Sequence, residues 1–239
     1  MRIAVLGTGV VGRTIATALV GIGHSVCMGS RSRDNPTATE WRRTAGDRAT
    51  VGDYEDAASR ANIIFNCTAG IASLEALGQA GEENLEGKIL IDVANPLDFS
   101  HGMPPTLSVC NTDSLGEQIQ RAFPSALVVK ALNTINCDVM VDPTRVPGDH
   151  HVFLSGDDPR AKAEVATLLN WAFGWPMTNI IDMGDISTAR GTEMMVPAWI
   201  SLRGALGTSD INFHIAGAPT RPVGFVGQVG AVAELPPYS

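Results

Sequence analysis

A doubly wound α/β fold, with a mostly parallel sheet covered by helices on both faces, is what this sequence predicts. Three observations carry the prediction. Short β-branched runs alternate with longer stretches of helical period, the runs are apolar throughout, and turn residues separate the two kinds. Strands that are apolar at every position need cover on both faces, and helices crossing between parallel strands supply it.

In order, Arg2 to Leu6 reads as a buried strand, Val11 to Ile22 as a helix, and His24 to Met28 as a second strand. Helices are expected over Pro36 to Arg48 and Asp53 to Ala61, with a short strand at Ala49 to Val51 between them. Ile63 to Cys67 is a fourth strand, followed by a helix from Ile71 to Ala80, a strand from Lys88 to Val93, a helix from Leu115 to Phe123 and a strand from Ala126 to Leu132. Further on, His151 to Leu154 suggests a strand. Arg160 to Phe173 repeats apolar residues at helical spacing. A last helix is expected from Ile186 to Leu206, kinked at Pro197, before a Gly/Pro-rich, irregular tail from Ala216. The expected division is a dinucleotide-binding unit over residues 1–150 and a small C-terminal helical extension over 151–239, too short for a large all-helical catalytic domain.

Composition bounds the function. With 44% apolar and 18% charged residues, the chain can bury a core without staples, which excludes a disordered or collagen-like protein. A formal charge of −8 with no block of like charges argues against nucleic acid as a general partner, because phosphate backbones need a basic surface. The apolar stretch Ile3 to Leu6 is cut by Gly7 and no long apolar run follows, so neither a signal peptide nor a membrane span is expected. The 4 cysteines are far apart and form no Cys-x-x-Cys pair, the pattern of a reduced cytoplasmic protein.

Gly7-Thr8-Gly9-Val10-Val11-Gly12 matches Gly-x-Gly-x-x-Gly where a strand ends and a helix opens. In that context the first glycine allows the tight turn, the second lets backbone approach a pyrophosphate, and the third lets helix and strand pack closely. The free amides at the helix start then face a diphosphate, which makes the expected fold Rossmann-type. An NAD site usually places Asp or Glu at the end of the second strand. Here the chain has Gly29-Ser30-Arg31-Ser32-Arg33, with no carboxylate before Asp34. Guanidinium and hydroxyl donors suit a 2′-phosphate, so NADP is favoured, with Ser30 and Arg31 ahead of Arg33.

Ligands of such sheets sit beyond the carboxyl ends of the strands. Those ends are Asn66-Cys67-Thr68-Ala69-Gly70, Asp92-Val93-Ala94-Asn95-Pro96 and Lys130-Ala131-Leu132-Asn133-Thr134. Cys67, Ala69, Ala94 and Pro96 leave room for a flat ring, and Thr68, Asn95 and Asn133 carry hydrogen-bonding groups for a ribose or carboxamide. Each of these polar residues serves equally well as a turn cap.

On the glycine motif, Gly29-Ser30-Arg31, Val93 to Leu97 and Val128 to Thr134, the chain resembles the F420-dependent NADP oxidoreductase family. Ser155-Gly156-Asp157-Asp158 and the stretch from Asp182 through Arg190 to Glu193 add to the likeness, which covers residues 1 to about 213. The fold is also similar to the reductase domain of STEAP metalloreductases. The resemblance implies hydride exchange between NADPH and the 5-deazaflavin F420, in a homodimer whose C-terminal helices help build the deazaflavin side.

Direct hydride transfer needs no protein nucleophile, so no catalytic triad is expected. Lys130 is a conceivable cation for charge developing on the acceptor, although a strand-end lysine more often serves packing. His150 and His151 do not make a metal site, since strand neighbours face opposite ways and no third ligand has a recognisable spacing. Arg190 and Glu193 are expected to pair within one helix. Met194, Met195 and Trp199 suit a core or dimer interface, with contact to the ring as the alternative. Arg145, Arg190 and Arg203 are candidates for the acidic tail of F420. Two rival functions stay open: an NADPH reductase of a flavin, quinone, imine or carbonyl, and a non-catalytic NADP-binding redox sensor.

Overall fold

The computed structural model describes residues 1–217, so the tail expected to be irregular lies, after Gly217, outside the described residues. The elements are β1 (Arg2–Leu6), α1 (Val10–Gly21), β2 (Ser25–Ser30), α2 (Pro36–Ala45), β3 (Ala49–Asp53), α3 (Tyr54–Arg60), β4 (Ile63–Asn66), α4 (Gly70–Ala80), α5 (Glu82–Leu85) and β5 (Ile89–Asp92). They continue with β6 (Leu97–Asp98), β7 (Thr106–Leu107), α6 (Leu115–Ala122), β8 (Leu127–Ala131), α7 (Cys137–Val141), β9 (Val152–Ser155), α8 (Pro159–Phe173), β10 (Ile180–Gly184) and α9 (Ala189–Leu206). No helix among the described residues is long and apolar enough to cross a membrane.

Eight strands form one sheet in the order β10-β9-β8-β5-β4-β1-β2-β3. The chain winds from β1 outward to β3, returns to the other side of β1 as β4, and winds the opposite way. Beyond the carboxyl ends of β1 and β4 this reversal opens a crevice. Neighbouring strands run parallel except β8 and β9, which are antiparallel. The sheet runs on through β9, where a strand is expected, and through β10, where none is, so residue 150 falls between two strands of one sheet.

Both faces are packed, as apolar strands require. Ile3, Val5, Phe65 and Val129 meet α1, α2, α7 and α8 on one face, where Trp41 and Trp175 are buried. Ala4, Leu6, Ile64 and Leu90 meet α3, α4 and α6 on the other. Local chemistry sets the helix ends. Asn35 accepts the Ala38 N–H at the start of α2 and Asp158 that of Ala161 at the start of α8, each with proline at the first helical position. Gly174 ends α8 in the left-handed conformation. Pro197 lies inside α9 without ending it, and the helix starts only after a turn of 3₁₀ helix at Ile186–Thr188.

Candidate functional site

The glycine motif forms the turn between β1 and α1. Gly7 has φ +116°, and a Cβ there would stand 2.5 Å from the Cys67 carbonyl oxygen, so the turn is wedged against the end of β4. A Cβ on Gly12 would come within 2.2 Å of the Gly7 oxygen, which fixes how closely α1 approaches β1. Gly9 differs, because a Cβ on it would meet nothing within 4 Å. It is the N-cap of α1 and offers no side-chain acceptor, leaving the first-turn amides turned toward open space. Arg13 Nη1 donates to the Thr8 carbonyl at 2.8 Å and braces the loop.

Two cavities flank this turn. One, of about 330 Å³, is lined by Gly7, Thr8, Gly9, Ser30, Arg31, Cys67, Thr68 and Ala69 from the expected set. Asn35, Tyr54, Ala72, Glu75, Ala76 and Gln79 complete it. The four α4 residues lie at i, i+3, i+4 and i+7, one face of a helix that the sequence predicts without marking that face as part of the site. Gly70 holds α4 in place, since a Cβ there would be 2.0 Å from the Asn95 oxygen.

The second cavity, of about 340 Å³, is lined by Val10, Val11, Asn95, Leu97, Asn133, Thr134, Trp199 and Arg203, among others. Asn95 and Asn133 tie the ends of β5 and β8 together: Asn95 Nδ2 donates to the Asn133 carbonyl at 2.8 Å and Asn133 Nδ2 to Asn95 Oδ1 at 2.9 Å. Leu132, just before, has φ +63°, a conformation unfavourable for a leucine and held here at the rim of the crevice. Ala94 is buried beneath this rim, and the Pro96 carbonyl accepts the Ser108 N–H at 2.8 Å.

Other expected residues are committed elsewhere. The Thr68 hydroxyl donates to Asn66 Oδ1 at 2.7 Å, and Asn66 in turn donates to Asp92, so this side chain fixes the turn inward. Burial pushes the Cys67 thiol up, as does the nearby Asp92 carboxylate, so it stays protonated at neutral pH. Ser30 Oγ donates to the Ser32 carbonyl at 2.6 Å. The Arg33 guanidinium binds Asp53 and Asp56, each at 2.8 Å, while Arg31 lines the first cavity.

The Lys130 candidate gives way to the packing reading, and the expected Arg190–Glu193 pair is corrected. Lys130 faces no cavity: it is buried, 2.8 Å from Asp92 and 2.6 Å from Glu193, and donates to the Ala94 carbonyl at 2.7 Å. Burial lowers its pKa, but the two carboxylates more than offset this and hold it raised. Arg190 and Glu193 do not pair with each other. Glu193 points inward to Lys130 and accepts the Leu115 and Gly116 amides at the start of α6, while Arg190 binds Glu117. The unpaired amides of a helix start and a buried ammonium outcompete a solvated partner one turn away.

Among the other arginines, Arg145 binds Asp210, whereas Arg203 donates to the Ser209 hydroxyl and faces the second cavity. Trp199 lines that cavity, and Met194 is exposed. His150 and His151 are buried. His150 is hydrogen-bonded to the Pro143 carbonyl and to Asn212, and His151 Nδ1 accepts the Ile215 N–H at 3.1 Å.

Residues 2–96 match the family described as NADP oxidoreductase, coenzyme F420-dependent. A crystal structure from Arthrobacter sp. FB24, named as a proposed F420-dependent NADP reductase, is 55% identical with a TM-score of 0.86, covering 90% of this chain and 99% of that one. The rat (Rattus norvegicus) metalloreductase STEAP3 is 33% identical over 207 residues, 83% of this chain. This chain spans only 38% of that protein's length. A reductive aminase from Aspergillus terreus in complex with NADPH and ethyl levulinate, 15% identical with a TM-score of 0.59 over 86% of this chain and 62% of its own, shares the fold. With near-complete mutual coverage at 55% identity to the Arthrobacter protein, the chain belongs to the F420-dependent NADP oxidoreductase family.

Proposed function

We propose that this oxidoreductase transfers a hydride directly between NADPH and coenzyme F420. The observation that carries the reading is the pair of cavities on either side of the uncapped start of α1, one reached by Arg31 and the other by Arg203.

The residues present fit NADP. The open space over Gly9 is where a Cβ would intrude, and the Val10 and Val11 amides beside it suit a pyrophosphate. Arg31 would hold the 2′-phosphate through its forked cation, and the Ser30 hydroxyl would join it by exchanging the Ser32 carbonyl for a phosphate oxygen. Thr8, Gly7 and Gly12 shape the turn, and Cys67, Thr68 and Ala69 supply the opposite wall with Tyr54. The amide groups of Asn95 and Asn133 keep unused hydrogen-bonding capacity toward the second cavity, enough to orient a carboxamide.

When bound, the nicotinamide supplies a hydride and the deazaflavin accepts it. The chain's contribution is to align the two, with Ala94 and Pro96 leaving space at the crevice floor. Arg203 offers its guanidinium to the acidic tail of the acceptor. Met194, Leu202 and Leu206 are exposed on α9 at spacings of multiples of four, an apolar stripe that supports pairing of two copies as a homodimer.

The test is mixing with NADPH and F420 while deazaflavin absorbance is followed. Bleaching that depends on enzyme and NADPH supports the reading. Turnover only with a flavin, quinone, imine or carbonyl, or saturable NADPH binding with no turnover at all, overturns it.

A further inference from the structure

At the outer corner of the nucleotide cavity, β2 and β3 run side by side with Ser30 opposite Asp53. Strand neighbours lie about 4.8 Å apart, so the Asp53 carboxylate stands next to the residue assigned to the 2′-phosphate. Asp53 caps α3 by accepting the Asp56 N–H at 2.8 Å, which brings the Asp56 carboxylate to the same corner. A site built for a phosphate dianion thus has two acids at its back. Between them lies Arg33, with Nε 2.8 Å from Asp53 Oδ2 and Nη2 2.8 Å from Asp56 Oδ2. Arg31 lines the cavity and Arg33 does not. Arg33 is 66% exposed, so its ion pairs contribute little to stability.

We infer that Arg33 is a specificity-determining residue acting at second hand: by engaging Asp53 and Asp56 it screens two carboxylates from the 2′-phosphate and so sustains the preference for NADPH over NADH. The inference rests on the cofactor reading proposed above. Charges this close lie within one Debye length, ~8 Å at physiological ionic strength, so solvent ions do not do the screening instead. NADH, lacking the extra phosphate, does not sense the acids.

The experiment measures Kd for NADPH and NADH by fluorescence titration of wild type, Arg33→Gln, and Arg33→Gln combined with Asp53→Asn and Asp56→Asn. Asparagine retains the cap of α3, and thermal melts confirm folding. Arg33→Gln is expected to weaken NADPH ~10-fold, equal to about 1.4 kcal/mol, and NADH less than ~2-fold. Neutralising both acids should then bring NADPH back to within ~3-fold of wild type. A triple variant as weak as Arg33→Gln would mean that Arg33 touches the phosphate itself, and the screening role falls while the cofactor reading stands. Unchanged NADPH affinity in Arg33→Gln would also overturn it. Wild type without preference for NADPH would remove both readings together.

Discussion

Glu193→Ala removes the hub joining α9, α6 and β8. Lys130 keeps Asp92 and the Ala94 carbonyl but loses its contact at 2.6 Å, and the Leu115 and Gly116 amides lose their acceptors. Breaking one arm of a buried ion pair costs ~3–5 kcal/mol. At about 2–4 °C per kcal/mol for a chain of this size, the melting temperature should fall by roughly 6–20 °C. Had Glu193 paired with Arg190 on an exposed helix face, the cost would be ~0.3–0.5 kcal/mol, so the two arrangements differ tenfold in consequence. Arg190→Ala, which breaks the pair between a partly exposed arginine and the buried Glu117, serves as the comparison and should lower the melting temperature by less than Glu193→Ala does. Scanning calorimetry with urea titration measures both. A loss below ~1 kcal/mol for Glu193→Ala would refute the buried triad as a structural hub.

The glycine turn separates folding from binding. Gly12→Ala forces a methyl against the Gly7 oxygen and should destabilise by ~1–3 kcal/mol, whereas Gly9→Ala should melt within about 1 kcal/mol of wild type yet bind NADPH at least ~10-fold more weakly. Melts and titrations giving both variants the same profile would contradict this. Arg31→Ala should raise KM for NADPH by ~10–100-fold and for NADH by less than ~3-fold, and equal weakening counts against the phosphate assignment. Burial, then His214, lowers the pKa of His151 below its ordinary 6.5, so the unfolded chain binds more protons in the window beneath that value. Its stabilising contribution is therefore complete above pH 6.5 and erodes as pH falls through the window. Protection factors at residues 208–217, each taken against the intrinsic exchange rate at the same pH, should fall on acidification in wild type and lose that fall in His151→Asn. An identical pH response in the two proteins would exclude His151 as the cause.

The strands and most helices were legible because each is announced locally, by an apolar run or by a period of 3.6. What escaped lacks that signal. β10 carries the partly exposed Ile181, Asp182 and Met183 at the sheet's edge, and β6 and β7 are ladders of two residues. The glycine turn, Arg31 and the Asn95 and Asn133 rims fell where strand order places them, since residues at strand ends share a crevice whatever their distance along the chain. Long-range polar partners were opaque. Glu193 meets residues more than sixty positions earlier, and neither Lys130 nor Arg33 announces in sequence that a carboxylate is waiting for it.

Only Lys130 with Ser155 and Ala131 with Leu154 pair β8 to β9, so Val152 and Phe153 overhang the end of their neighbour. α9 carries Glu193, buried against Lys130, in its first half and Arg203, lining the second cavity, near its end. Arg203 is consequently mounted on a rod whose foot is fixed at Glu193 and whose reach is set by residue count. Each residue inserted between them would advance the guanidinium about 1.5 Å and swing it through roughly 100°. Lengthening or trimming that rod offers descendants of this chain a way to resize the second cavity while the glycine turn stays as it is.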